Sequence, residues 1–156
     1  MAKVITAEEL MNLGTSKHVF KEDRERMKQC ASGRDVWSAL DILRLEGIGN
    51  VHKLWLVLRP ELIDDSGREE FARRCKSRTV SMTKDPDRYD NLVAAMHAIV
   101  SAAGAFADPD VWTAAWVSAW TAVEIGSDGA STAERQRQVS ELIKMLEIVD
   151  TEDKPG

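Results

Sequence analysis

The sequence has very little cysteine, no long apolar run and, between Arg88 and Arg135, no positive charge at all. Cys30 and Cys75 are the only two cysteines in 156 residues and form no close pair. That excludes a disulfide framework and a cysteine-based zinc site, and it fits reduced thiols in a cytoplasm. The longest charge-free stretches, 91–107 and 111–123, are short for a membrane span and carry Ser, Thr, Asn or His. The first eight residues, MAKVITAE, lack the apolar core of a signal peptide. A cytoplasmic location and no membrane partner are therefore expected.

Signatures of chemistry are equally scarce. His18, His52 and His97 form no H-E-x-x-H pair and stand beside no cysteine at ligand spacing. There is no glycine-rich phosphate loop, and no Ser or Cys nucleophile has a recognisable base nearby. No catalytic residue, no metal ligand and no cofactor is expected. Two sets of carboxylates, Glu22 with Glu25 and Glu61 with Asp64 and Asp65, have the residue types that hold magnesium in helical nucleotide hydrolases. They stand farther apart than that chemistry needs, and helix caps or a solvated face explain them more simply. A divergent metal-dependent nucleotide hydrolase is thus the second alternative.

What is present is helix-forming sequence. With 44% hydrophobic and 30% charged residues the composition is that of a globular protein, long enough to bury a core. Thr6 followed by Glu9 has the form of a capping box and opens a short helix to Leu13. A charged helix is expected from Lys17 to about Cys30, with Phe20, Met27 and Cys30 as its apolar stripe. Val36, Trp37, Leu40 and Leu43 then recur at helical spacing from Arg34 to Glu46, with Gly47 as the stop. The run Leu54–Leu58 fits a short buried helix or a strand. Asp64 or Asp65 caps a helix to about Ser81. Asp85-Pro86 and Asp108-Pro109 each place a capping carboxylate before a proline at the first helical position, and the helices reach about Ala103 and Ile125. Ser131 with Glu134 forms another capping box, followed by Val139, Leu142, Ile143, Leu146 and Val149 on one face. No convincing strand appears. The expected fold is all-α, one bundle of about six to eight helices over residues 1–150, with a polar tail at 151–156.

Charge is unevenly placed. Residues 1–80 hold 15 Lys and Arg against 13 Asp and Glu (+2), and residues 81–156 hold 6 against 13 (−7). The cation-free span contains Asp90, Asp108, Asp110, Glu124, Asp128 and Glu134, which excludes direct nucleic-acid binding as its role. The basic segment Arg68, Arg73, Arg74, Lys76 and Arg78 is offset by Glu69 and Glu70 and reads first as a solvated helix face, with a phosphate-binding or acidic-partner patch as its alternative. Within the acidic span, Trp112, Trp116 and Trp120 follow one another at four-residue intervals. At ~100° per residue they fan over only ~80° of the helix. Such a stripe is ordinarily core; its other reading is an aromatic anchor for a partner, ringed by acids.

Three segments together resemble the helical, Trp- and Ala-rich immunity-protein family of bacteria and their phages. The first is Cys30-Ala31-Ser32-Gly33-Arg34-Asp35-Val36-Trp37. The second is Leu54-Trp55 through Leu62-Ile63-Asp64-Asp65 to Phe71-Ala72 and Cys75. The third is Asp85-Pro86-Asp87 with the later helix around Trp112, Trp116 and Trp120. The resemblance, over residues 30–125, implies a small protein that binds and neutralises another protein, a toxin or a defence component of host or phage. It brings no catalytic residues with it. An acidic surface suits a basic nuclease or a nucleic-acid-handling complex, because complementary charge speeds encounter. The expected partner-binding residues are Asp108, Asp110, Trp112, Trp116, Trp120, Glu124 and Asp128. The alternative is a structural or self-associating helical module, with a homo-oligomer as its product.

Overall fold

The computed structural model describes residues 3–14, 19, 21–104, 107–126 and 129–153, with side-chain detail to Val149. Lys17, His18, Phe20 and Asp128 lie outside the described residues. Elements run in the order β1 (Val4–Thr6), α1 (Ala7–Gly14), α2 (Lys21–Ala31), β2 (Val36–Ser38), α3 (Ala39–Leu43), α4 (Asn50–Val57), α5 (Asp65–Thr83), α6 (Pro86–Ala103), α7 (Pro109–Ile125) and α8 (Ala130–Asp153). Among the described residues the protein is all-α, eight helices with one two-stranded ribbon. No described helix is long and apolar enough to cross a membrane. Contacts group the chain into two compact units, residues 1–64 with 142–156, and residues 65–141. No linker marks the division, and α8 is shared, passing to the first unit at Leu142.

In the first unit the capping box at Thr6 forms as its spacing requires. The Thr6 N–H donates to Glu9 Oε1 at 3.2 Å, and the Glu9 N–H donates to Thr6 Oγ1 at 3.1 Å. Gly14 closes α1 against α2: a Cβ there would stand 2.9 Å from Met27 Cβ, and Met27 is wholly buried. The expected helix from Arg34 is corrected. Val36–Ser38 is a strand, antiparallel to β1, with Ile5 opposite Trp37. Ile5 and Trp37 are buried while Val4 and Val36 face water, the two-residue alternation of a ribbon with one covered face. A second capping box fixes the boundary: Asp41 N–H donates to Ser38 Oγ and Ser38 N–H to Asp41 Oδ2, so the helix cannot extend before Ala39.

The run Leu54–Leu58 resolves as the end of α4 and its cap, with the Leu58 N–H bonded to the Leu54 carbonyl. All five side chains are buried. A segment covered on every side shows no periodicity, which is why its type was ambiguous.

The second unit holds α5, α6, α7 and the first half of α8. Both Asp-Pro signals work as read. Asp85 Oδ1 accepts from the N–H groups of Asp87 and Arg88, and Asp108 Oδ1 accepts from that of Val111. Gly104, at φ +64°, ends α6 in the left-handed conformation glycine tolerates. Helix α5 buries Arg68, Phe71, Cys75 and Thr79, one stripe at three- and four-residue spacing. Helix α8 begins at Ala130 rather than after Ser131. Glu134, expected to cap it, is buried and turned to α5 instead. The helix also runs three residues into the expected tail, to Asp153.

Candidate functional site

Helix α7 carries most of the residues the sequence singles out. Its small face, Ala114, Ala115, Ser118, Thr121 and Ala122, is buried, and the helix packs chiefly on α5 and α6. Small side chains let a neighbouring helix approach closely. The buried hydroxyls of α7 are satisfied within the helix: Thr113 Oγ1 donates to the Pro109 carbonyl at 2.7 Å, Ser118 Oγ to Ala115 at 3.0 Å and Thr121 Oγ1 to Val117 at 2.8 Å.

The three tryptophans do not share one environment. Trp112 is 1% exposed and belongs to the core. Trp116 is half-buried; its ring lies under the Arg135 guanidinium at 4.5 Å, and its Nε1–H meets no acceptor among the described residues. Trp120 is 54% exposed. The stripe therefore climbs from core to water along α7, because its ~80° fan turns the last indole off the packed side.

The carboxylates around it are mostly engaged. Asp108, besides capping α7, accepts from Arg68 Nε at 3.0 Å, and Arg68 is itself buried and also paired with Asp65. Asp110 stands in water and pairs with His97 Nε2 at 2.8 Å. Glu124 accepts from Arg88 and, at 3.0 Å, from the Trp120 indole N–H. Those two hydrogen bonds, Arg88 first, hold its carboxyl below the usual carboxylate range. Sequence alone shows an acid-only span; the structure brings Arg68 and Arg88 to it from α5 and α6. Asp128 lies outside the described residues.

The basic segment of α5 is neutralised in the same way. Glu70 accepts from Arg73 and Arg74, which pull its carboxyl down to about 2. Lys76 lies over the Tyr89 ring at 5.6 Å. Arg78 donates Nε and Nη2 to Glu134 Oε1 at 3.0 and 2.8 Å and pairs with Glu141. Beside this ion pair, Gln138 is wholly buried; its Nε2 donates to the Ala115 carbonyl and to Ser118 Oγ, and its Oε1 accepts from Arg135. Burial pushes the Arg135 guanidinium down to about 10. This network fills the space opposite the small face of α7 with polar groups that find partners there.

No family model, curated protein or solved structure matches the chain. The site must therefore be read from its own geometry. Among the described residues no three His, Cys, Asp or Glu side chains are placed to hold one metal ion. Glu22, Glu25, Glu61 and Asp64 are all exposed, and Asp65 serves Arg68. Sequence reasoning missed the buried pair of His52 with Asp23, and it missed the environment of Arg59. Neither residue belongs to a motif; the partner of His52 lies on α2, and Arg59 meets Trp55 only because the chain turns at the end of α4.

Cys75 is buried beside Arg78, and burial pushes its thiol up to about 11. Cys30 is partly exposed. A thiol reagent at pH 8 should label one cysteine quickly and Cys75 only as fast as the protein opens. The stability effect has a definite sign. An unfolded Cys75 ionises near 9.0 and the folded one near 11, so its contribution is complete below pH 9 and declines as pH rises to 11. The difference in unfolding free energy between the wild type and Cys75→Ala should shrink across that window. A difference that stays constant from pH 8 to 11 refutes the assignment.

Proposed function

We propose that this protein is a non-catalytic binding protein that neutralises a protein partner, and that it presents the α6–α7 hairpin to it. The observation that carries this reading is the exposed Trp120 held by Glu124, which is held in turn by Arg88. An exposed indole usually samples several rotamers; one fixed by a hydrogen bond at each remove has already lost that freedom before binding. Tryptophan is enriched among interface hot spots, and preorganisation lowers the cost of binding. Val123 and Ile125, 52% and 58% exposed, extend the apolar surface on the same helix.

Charge defines the partner. Between Pro86 and Ile125 stand five carboxylates (Asp87, Asp90, Asp108, Asp110, Glu124) and one cation, Arg88, a net of −4 with histidine neutral. Arg68 compensates only Asp108. The fitting partner is a basic protein, of the nuclease or nucleic-acid-handling kind, with an apolar socket for Trp120. Its approach is steered by charge and its residence is set by the indole.

The test begins with affinity capture from source cells, followed by titration of the purified partner. Trp120→Ala should weaken binding by about thirtyfold, the ~2 kcal/mol of an interface hot spot, while the free protein melts unchanged. Asp90→Asn with Asp110→Asn should flatten the salt dependence. Equal affinity of wild type and Trp120→Ala for the captured partner sinks the reading. The same exposed side chains, with Ile99 on α6 at 64%, favour self-association as the second reading. Light scattering separates the two: a monomer at high concentration leaves only the heterologous partner.

A further inference from the structure

The first unit contains a cleft of about 340 Å³ between α1 and the turn that joins α4 to α5. Its apolar wall is Ile5, Leu13 and Leu62, and its polar groups include Arg59, Glu9 and Glu61. Lys3 Nζ donates to the Pro60 carbonyl at 2.8 Å and ties the segment before β1 to that turn.

Arg59 is the unusual member. Its guanidinium lies over the Trp55 ring at 4.4 Å, and its Nε–H is buried with no acceptor among the described residues. Burial pushes the guanidinium down from its ordinary value, and the neighbouring Glu61 acts the other way. Among the described residues most other arginines find a carboxylate: Arg68, Arg73, Arg74, Arg78 and Arg88 all do. A planar guanidinium stacked on one indole and lining a cleft is suited to receive an oxyanion edge-on.

A bare anion, however, does not match the cleft. Two carboxylates share it with one guanidinium, and Lys3 stands at the adjoining Pro60, so a phosphate or a simple carboxylate would meet no net positive charge. A bare cation would satisfy Glu61 and leave the Arg59 donor unmet. Glu9 is already engaged in the capping box with Thr6, which leaves Glu61, exposed at the rim, as the freer acceptor.

We infer that the cleft binds a small zwitterion of the amino-acid class, an aliphatic amino acid or dipeptide, with its carboxylate on Arg59, its ammonium toward Glu61 and its side chain on Ile5, Leu13 and Leu62. The volume suits such a ligand and is at the low end for anything larger. This inference is independent of the partner-binding reading, since its residues lie in a different unit.

The experiment is titration of the 15N-labelled full chain with four probes, followed by two-dimensional NMR. Leucine and leucyl-leucine should give saturable shifts confined to residues 5–13 and 55–62. Leucinamide, which lacks the carboxylate, and N-acetylleucine, which lacks the ammonium, should each bind at least about tenfold more weakly. Arg59→Lys and Glu61→Gln should each weaken leucine binding by a similar factor. Arg59→Lys keeps the charge on a shorter side chain and Glu61→Gln keeps the length without the charge, and an unperturbed spectrum of the free protein establishes that they fold. N-acetylleucine or inorganic phosphate binding as well as leucine overturns the zwitterion in favour of a simple anion site. Leucine binding unchanged in either variant overturns the residue assignment. No saturable shift with leucine or leucyl-leucine at low-millimolar concentration overturns the site itself.

Discussion

Replacing Glu134 with alanine lowers the unfolding free energy by about 3 kcal/mol, the typical result of removing one partner from a buried ion pair. Glu134 is 2% exposed, and a single oxygen of its carboxylate receives both Arg78 donors, with Gln138 Nε2 at 3.4 Å from the same atom. Without it, Arg78 keeps Glu141 and the weak acceptor Cys75 Sγ, and Gln138 loses one of its three acceptors. The reverse change, Arg78→Ala, leaves the carboxylate at a 2% exposed position with only the longer contacts to Arg137 and Gln138, at 3.6 and 3.4 Å, and should cost a similar amount. The informative variant is the double one. Arg78→Met with Glu134→Leu removes both charges together, so its cost should be well below the sum of the two single losses. Urea unfolding measures all three. A loss under about 1 kcal/mol for Glu134→Ala would mean the pair contributes no more than a surface salt bridge.

Truncating Trp112 to alanine should cost about 3–5 kcal/mol, the range for a large aromatic removed from a packed core. Trp112 is 1% exposed and heads the fully buried side chains by size. Its neighbours on α7, Val111 and Ala115, are buried with it, so the helix has little freedom to collapse into the vacated volume. The contrast along the stripe is the sharper test. Trp120→Ala, from a residue 54% exposed, should fall within about 0.5 kcal/mol of wild type. Trp116→Ala should lie between, since it gives up the stacking on Arg135 but also removes an indole N–H with no acceptor. Comparable losses at all three positions would contradict the gradient from core to surface.

Some of this was legible in the sequence. Most boundaries set by local chemistry were readable: the Thr6–Glu9 box, the two Asp-Pro starts, and the ends of α6 and α7 at Ala103 and Ile125, whereas the equally local Ser38–Asp41 box lay inside the helical repeat expected from Arg34. These depend on residues within one turn of each other. Boundaries that depend on distant partners were not readable. Val36 and Trp37 fit a helical repeat, and only the ribbon with Val4–Thr6 makes them a strand. Ser131 and Glu134 have the spacing of a capping box, yet Glu134 gains more from Arg78, 56 residues away, than from a helix end open to water.

The acid-only span and its tryptophans show the same division. The sequence by itself determined that the protein is helical, that residues 89–134 carry carboxylates without Lys or Arg, and that three indoles rise along one helix. Periodicity and charge order are local properties and survive in any packing. Tertiary structure decided which indole reaches water and which carboxylates remain free. Helix α7 chose its small face for burial because closely packed helices need short side chains, and that choice turned Trp120 outward. Arg68 and Arg88 come from outside the cation-free span to quench Asp108 and Glu124, at separations of 40 and 36 residues. An ion pair is a fact about distance in space, which charge order along the chain does not contain.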